Sequence, residues 1–258
     1  MLAVDRIDIA ILCGGLGERL RSVVGATPKV MAAIGGRPFL DLLLEHLAAQ
    51  KFRRVILLTD YKSDIIEDYY RKKNFPFAVE FSRESKSLGT GGAVQNAAPL
   101  IKSDPFFAMN GDSFCPVDFA AFLDFHHAKK AWASLVLSKV NDPRDFGTIT
   151  LDQYRRLTGF LEKNSGKNSP GNSGPEPAYV NSGIYCFPQE FFRSRDPHRG
   201  HGGPGVPFSA PQEKFSLELD FFPWAVPSRK LYGFVIEEKF TDIGTPERYK
   251  NAKQKLAK

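Results

Sequence analysis

Along the first half of the chain, apolar runs of strand length alternate with longer segments of helical period. Ile7 to Cys13 (IDIAILC) is mostly apolar and stops at glycines, the pattern of a strand buried in a parallel sheet. Pro38 to Gln50 carries apolar residues at helical spacing, with Pro38 at a first-turn position. Val55 to Thr59 reads as a second buried strand, and Ser63 to Lys73 as an amphipathic helix with Ser63 as its N-cap. Phe77 to Ser82 and Pro105 to Asn110 add two strands, with a helix from Gly91 to Leu100 between them. Such alternation over residues 1–115 predicts a mostly parallel sheet covered by helices on both faces. Ligands of these sheets sit beyond the carboxyl ends of the strands. The glycine-rich stretch after Cys13, the segment Leu88 to Gly92, and Asn110 to Asp112 all follow predicted strands, so the fold delivers them to one edge.

The second half is less regular. Phe119 to Lys130 predicts a helix, Ala133 to Val140 a strand, and Gly147 to Thr150 with Leu157 to Glu162 a β-ribbon. Val180 to Phe187 is strand-like. Asn164 to Pro177 and Pro197 to Pro211 are rich in Pro, Gly and small polar residues and read as loops, which in a binding enzyme can serve as lids. No internal repeat or domain boundary interrupts the chain, so residues 1–258 are expected to form one domain with two halves, 1–115 and 116–258.

Composition narrows the class. With 42% hydrophobic and 25% charged residues over 258 positions, the chain can bury a sizeable core without staples. Its formal charge of +6 is spread along the sequence, with no basic arm or aromatic-interleaved stripe, which argues against nucleic acid as a partner and suits phosphate substrates. The tail from Lys250 to Lys258 reads as a solvated helix end. Three scattered cysteines, Cys13, Cys115 and Cys186, make no disulfide framework, and a cytoplasmic location is the expectation. No signal peptide is visible, and no apolar run approaches the ~20 residues that span a bilayer, so no membrane association is expected.

The loop Gly14-Gly15-Leu16-Gly17-Glu18-Arg19 carries the first chemistry. Glycines after a buried strand let backbone N–H groups approach an anion, and Arg19 and Lys29 supply charge for a polyphosphate. A dinucleotide fingerprint would place its third glycine where Leu20 stands, and the G-K-[ST] of a P-loop is missing.

Leu12-Cys13-Gly14-Gly15-Leu16-Gly17-Glu18-Arg19-Leu20 followed by Thr27-Pro28-Lys29 resembles the signature of the sugar-1-phosphate nucleotidylyltransferases. Leu88-Gly89-Thr90-Gly91-Gly92 resembles that family's second nucleotide loop, and Asn110-Gly111-Asp112 its metal-binding G-D. Phe146-Gly147-Thr148-Ile149, Phe160-Leu161-Glu162-Lys163 and Asn181-Ser182-Gly183-Ile184-Tyr185 resemble sugar-pocket segments, and Asp242-Ile243-Gly244-Thr245-Pro246 the C-terminal D-I-G-T-P. Each motif is weak alone; their shared order over nearly the whole chain makes the resemblance strong.

The resemblance implies an α/β fold, a Rossmann-like three-layer α/β/α nucleotidyltransferase (GT-A-like) with a mostly parallel central sheet and a smaller β-rich sugar-binding portion. Residues 1–115 would bind the nucleotide and 116–258 the sugar. The implied partners are a nucleoside triphosphate and a sugar 1-phosphate, the cofactor is Mg²⁺ on Asp112 and Asp242, and Arg19, Lys29, Asp112 and Asp242 carry the catalysis. Arg19 would hold the triphosphate, Lys29 the α-phosphate and Lys163 the sugar's phosphate. Glu162 and Asn181 would bond sugar hydroxyls beside Gly147. Leu12, Gly14, Gly15, Gly17, Gly89, Thr90 and Gly111 would frame the nucleotide. The family commonly places Pro after the Glu-Lys pair, whereas Asn164 and a long polar loop follow here.

Plainer readings stand beside these. Asp112 could simply end a strand, and Asp242 could cap the turn into the helix beginning near Pro246. Glu162-Lys163 could be a solvated pair, but Asn181 within an apolar run needs partners for its amide. His126, His127 and Trp132 have no partners at metal or triad spacing, and Cys13 reads as a small packed residue. Arg21 to Ala32 and Gly36 to Leu40 most resemble the D-glycero-α-D-manno-heptose 1-phosphate guanylyltransferases, which implies GTP, a manno-configured heptose 1-phosphate, and supply of GDP-heptose for lipopolysaccharide or capsule. Competing readings are mannose-1-phosphate guanylyltransferase, another hexose-1-phosphate uridylyl-, cytidylyl- or thymidylyltransferase, and a non-catalytic sugar-nucleotide-binding subunit. Oligomeric state is left open, a homo-oligomer included.

Overall fold

The computed structural model describes residues 3–15, 17–140, 147–161, 178–189, 213–237 and 240–256. In chain order the first half contains β1 (Ile9–Leu12), α1 (Arg21–Val24), β2 (Ala33–Ile34), β3 (Arg37–Pro38), α2 (Phe39–Ala49), β4 (Arg54–Thr59), α3 (Ser63–Tyr70), β5 (Ala78–Arg83), α4 (Gly89–Ala97), β6 (Phe106–Asn110) and β7 (Ser113–Phe114). The second contains α5 (Phe119–Ala128), β8 (Ala133–Val140), β9 (Thr148–Leu151), β10 (Leu157–Leu161), β11 (Ala178–Phe187), α6 (Phe222–Ala225), β12 (Leu231–Ile236), β13 (Thr241–Asp242) and α7 (Pro246–Leu256).

Nine strands form one sheet. β5, β4, β1 and β6 run parallel, as their apolar runs predict. β11 then enters antiparallel to β6 and to β8, and β12 closes the far edge parallel to β8. Beyond β6, the N-terminal part of β11 meets the β9–β10 ribbon through Tyr179 and Ile149. Alternate residues feed opposite layers. Ile9, Ile11, Val55, Leu57, Phe107 and Met109 pack with α2, α5 and α7, while Ala10, Ile56, Leu58 and Ala108 pack with α4 and the segment from Phe215 to Val226. The result is the expected α/β/α arrangement.

One local expectation is corrected and one plainer reading holds. Ser63 is not a capping side chain: Lys62, in the left-handed region at φ 53°, precedes the helix without a side-chain cap bond, and Ser63 is buried inside the first turn. Asp242 does close the turn leading into α7, its Oδ1 accepting from Gly244 N at 2.9 Å. The Thr245 hydroxyl then accepts from Arg248 N at 3.3 Å in the first turn of α7. The sequence reading also passed over β12, the β7–β13 and β2–β3 pairs, and the π-helical turn Leu217–Phe221. The expected loops at 164–177 and 197–211 lie outside the described residues.

Candidate active site

A cleft of about 1140 Å³ opens beyond the carboxyl ends of β1 and β6. Gly111 N–H donates to the Leu12 carbonyl at 2.9 Å, which locks the turn after β6 onto the end of β1. Gly15 and Gly17 both adopt positive φ, 104° and 56°, so the loop takes a path that side-chain-bearing residues resist. Leu16 lies outside the described residues. Only a 3-10 turn (Glu18–Leu20) and the one-turn α1 follow, so little helix dipole reaches the loop; Arg19 and Lys29, both facing the cleft, bring positive charge beside it.

The two aspartates arrive from opposite halves of the chain. β13 pairs with β7, placing Asp242 opposite Ser113, and Ile243 N–H donates to the Asp112 carbonyl at 3.0 Å. Lys29 Nζ ion-pairs with Asp112 Oδ2, and Ser113 Oγ donates to Oδ1 at 3.0 Å. Burial, the largest influence on Asp112, works against its charge; Lys29 and the Ser113 hydroxyl outweigh it and hold the carboxyl below its ordinary value. Asp242 Oδ1 accepts from Gly244 N at 2.9 Å, and Arg248 Nη1 lies 3.3 Å from each carboxylate oxygen. Gly244 keeps the centre open: a Cβ there would come within 2.9 Å of Asp242 Oδ1, 3.7 Å of Lys29 Nζ and 4.0 Å of an Arg19 nitrogen.

Two carboxylates lining one cleft, each beside a cation, are oxygen donors of the kind a hard divalent ion takes. No group of three or more His, Cys, Asp or Glu able to hold a metal occurs among the described residues. At nucleotide sites Mg²⁺ commonly takes one or two carboxylates and fills the rest of its shell with phosphate oxygens and water.

Gly89 and Thr90 open α4, and Thr90 lines the cleft. The N–H groups of Gly91 and Gly92 both donate to the Phe215 carbonyl, at 3.0 and 3.3 Å, which ties this loop to the segment before α6. Thr90 Oγ1 accepts from Leu217 N at 2.8 Å and donates to Glu218 Oε2 at 2.7 Å. Tyr185 Oη donates to Glu218 Oε1 at 2.9 Å and accepts from Asn181 Nδ2 at 2.8 Å. Asn181 and Gly147 line the same cleft. A β-bulge between Asn181 and Tyr185 contains Gly183, whose N–H donates to Asn181 Oδ1 at 3.0 Å. Glu162, Lys163 and Phe146 lie outside the described residues.

Several residues escaped the sequence reading. Ser216 and Glu218 line the cleft, and their signal was a Ser N-cap followed by first-turn acids. Asp60 and Glu84 line a second pocket of about 470 Å³ beyond β4 and β5, with no motif to announce them. Glu84 Oε2 accepts from Leu88 N at 2.7 Å, while a Cβ built on Gly14 would lie 3.1 Å from Asp60 Cβ and 3.6 Å from Glu84 Oε1. Burial chiefly, with Asp60 adding to it, pushes Glu84 up to about 7 against the opposing bond from Leu88. Cys13 is no nucleophile: burial, then the charge of Asp112, raise its thiol well above the ordinary value.

A family model described as Nucleotidyl transferase matches residues 9–258. D-glycero-alpha-D-manno-heptose 1-phosphate guanylyltransferase of Aneurinibacillus thermoaerophilus is 33% identical, over 97% of this chain and 98% of its own. Mannose-1-phosphate guanylyltransferase of Mycobacterium tuberculosis is 32% identical over 96% of this chain, which spans 64% of that longer protein. Among solved structures, HddC of Yersinia pseudotuberculosis complexed with GMP-PN is 33% identical with a TM-score of 0.78, covering 97% of this chain and 99% of that one.

Proposed function

The chain belongs to the nucleotidyl transferase family and is an enzyme that transfers a nucleotidyl group to a sugar 1-phosphate; we propose that the donor is GTP, the acceptor D-glycero-α-D-manno-heptose 1-phosphate and the cofactor Mg²⁺. The convergence of Asp112, Asp242, Lys29 and Arg19 around Gly244 carries the catalytic part of this reading. Residues 1–115 would hold the nucleotide and 116–258 the sugar.

The sugar phosphate is already an anion, so its oxygen can attack the α-phosphorus without a general base. The new P–O bond forms as the bond to pyrophosphate breaks in line with it. Arg19 and Lys29 neutralise the triphosphate as charge moves to the leaving group, in a cleft where fixed cations act more strongly than in water. Asp112 and Asp242 would hold Mg²⁺, which supplies further charge neutralisation at the phosphates. Asn181, fixed by Tyr185 and Gly183, presents its amide to the sugar side.

Support for guanine comes from Asp60 and Glu84 beside the nucleotide loop. A carboxylate accepts from the two adjacent N–H groups of guanine's pairing edge, while uracil and thymine would turn carbonyl oxygens toward it. The free thiols Cys13, Cys115 and Cys186 suit the reducing cytoplasm, and no described helix is long and apolar enough to cross a membrane. Mannose 1-phosphate is the second reading for the acceptor, favoured by the mycobacterial relative. A purely binding subunit is disfavoured because Arg19, Lys29, Asp112 and Asp242 all face one cleft.

Pyrophosphate release should be measured for each nucleoside triphosphate against a panel of sugar 1-phosphates with Mg²⁺. GTP with the heptose phosphate should give the highest kcat/KM. A preference for mannose 1-phosphate or for another base would replace the corresponding half of the assignment. No release with any pair would leave the binding subunit.

A further inference from the structure

Arg248 is not needed to shape the Asp242 loop. Gly244 N–H already fixes Oδ1, and the pairing of Asp242 with Ser113 fixes the backbone. Yet the guanidinium sits on the carboxylate, with a single nitrogen, Nη1, forked between both oxygens at 3.3 Å. That geometry is long and lacks the two parallel bonds of a strong Arg–carboxylate pair. Arg248 also lines the same cleft as Arg19 and Lys29, and its side chain is 27% exposed. Its backbone is anchored one residue away by Tyr249, which is buried and donates from Oη to the Ala33 carbonyl at 2.6 Å.

Each aspartate therefore carries its own cation, Lys29 on Asp112 and Arg248 on Asp242. A divalent ion and these groups compete for the same lone pairs. Arginine cannot shed its proton, so once displaced from Asp242 it remains a full charge in the cleft, with a planar fork suited to phosphate oxygens.

We propose that Arg248 is a resident counter-ion of Asp242, displaced when metal and nucleotide enter together and then redeployed onto a substrate phosphate. The proposal rests on the assignment of Asp112 and Asp242 as metal ligands. It makes the site self-neutralised before substrate arrives and disfavours binding of metal alone.

The test is the binding of Mn²⁺ to the full chain, followed by electron paramagnetic resonance, for wild type, Arg248→Met and Arg248→Lys. Without nucleotide, Arg248→Met should bind Mn²⁺ about five-fold or more tightly than wild type, because a competing charge has gone, while Arg248→Lys stays near wild type. A residue that merely props up Asp242 would give the opposite, so unchanged or weaker binding in Arg248→Met overturns the counter-ion role. In steady state the methionine variant should raise the KM of one substrate by roughly ten-fold, as loss of a charged phosphate contact requires. A rise for the sugar 1-phosphate places Arg248 on the acceptor, and a rise for GTP places it on the triphosphate. Unchanged KM for both overturns the redeployment. Wild-type protein that binds Mn²⁺ neither alone nor with GTP removes the metal assignment and this proposal with it. Metal binding by wild type alongside an unaltered Arg248→Met removes the proposal alone.

Discussion

Asp112 keeps its charge in a place that disfavours it, because Lys29 and Ser113 outweigh the loss of water around it. Replacing it by asparagine keeps the shape and removes the charge. Asp112→Asn should lower kcat by about 100-fold or more while the thermal melt stays cooperative, since a neutral amide oxygen is a poor Mg²⁺ ligand and Lys29 loses its counter-ion. Pyrophosphate release at saturating GTP and Mg²⁺ tests this; a rate within a few-fold of wild type would refute the role.

Glu84 poses the opposite problem. Held up to about 7 from 4.5, it keeps its proton longer in the folded than in the unfolded chain. Its contribution to stability therefore falls as pH rises from about 4.5 to about 7 and stays flat above. Glu84→Gln should be more stable than wild type above pH 7, by about 1–2 kcal/mol once solvent screening of this partly exposed group is allowed for, and should match it near pH 4. The functional consequence has the other sign. If Glu84 holds guanine as proposed, only its ionised carboxylate accepts both N–H groups, so the KM for GTP should fall as pH rises through about 7, and Glu84→Gln should flatten that profile at a higher KM. A pH-independent KM in wild type would remove guanine from Glu84.

At the scale of elements, the bulge in β11 holds Asn181, the proposed sugar contact. Tyr185 and Cys186 pair in regular register with β6 and β8, as the apolar run Val180–Phe187 predicts. The register shift lies between Asn181 and Tyr185, where Gly183 adopts φ 73° and a Cβ would stand 2.5 Å from Asn110 Nδ2. Gly183→Ala should cost about 1–3 kcal/mol in stability, from the strained backbone and the clash, and raise the KM for the sugar 1-phosphate more than that for GTP. Chemical denaturation and paired KM values check both parts, and a neutral Gly183→Ala would mean that the bulge relaxes freely. Strands such as β1, β4, β6 and β8 were legible because burial on both faces writes a continuous apolar run. So were the loops at Gly14 and Asp112, whose residue types have few other uses together. The β7–β13 pair was not legible. Two residues a side leave no period to detect, although this contact brings Asp112 and Asp242 together. Nor were Glu84 and Arg248, which look like ordinary surface charges until the fold turns them inward.

For the molecule as a whole, the halves that would serve nucleotide and sugar share one sheet and one site. β6 is buried from Phe106 to Met109, and one of its two edges is covered by β11 from the second half. The faces are shared too: α5 and α7 cover one side of the sheet near β1 and β6, and Phe215, Phe221 and Phe222 cover the other. Removing the second half would bare several aromatic and aliphatic side chains, each worth about 1.5–3 kcal/mol of burial, against a total stability of about 5–15 kcal/mol. Residues 1–115 expressed alone should therefore fail to fold, and the full chain should unfold in one transition. Far-UV circular dichroism, reporting all elements, and fluorescence of Trp132 and Trp224, both in the second half, should give coincident denaturant curves. Separate midpoints, or a cooperative melt of the isolated first half, would show two independent units. Coincidence has a chemical consequence, because Asp112 and Asp242 come from different halves and meet only across β7 and β13. The proposed metal-binding pair then exists only in the fully folded chain, and Mn²⁺ with GTP should raise the single midpoint for wild type but not for Asp112→Asn.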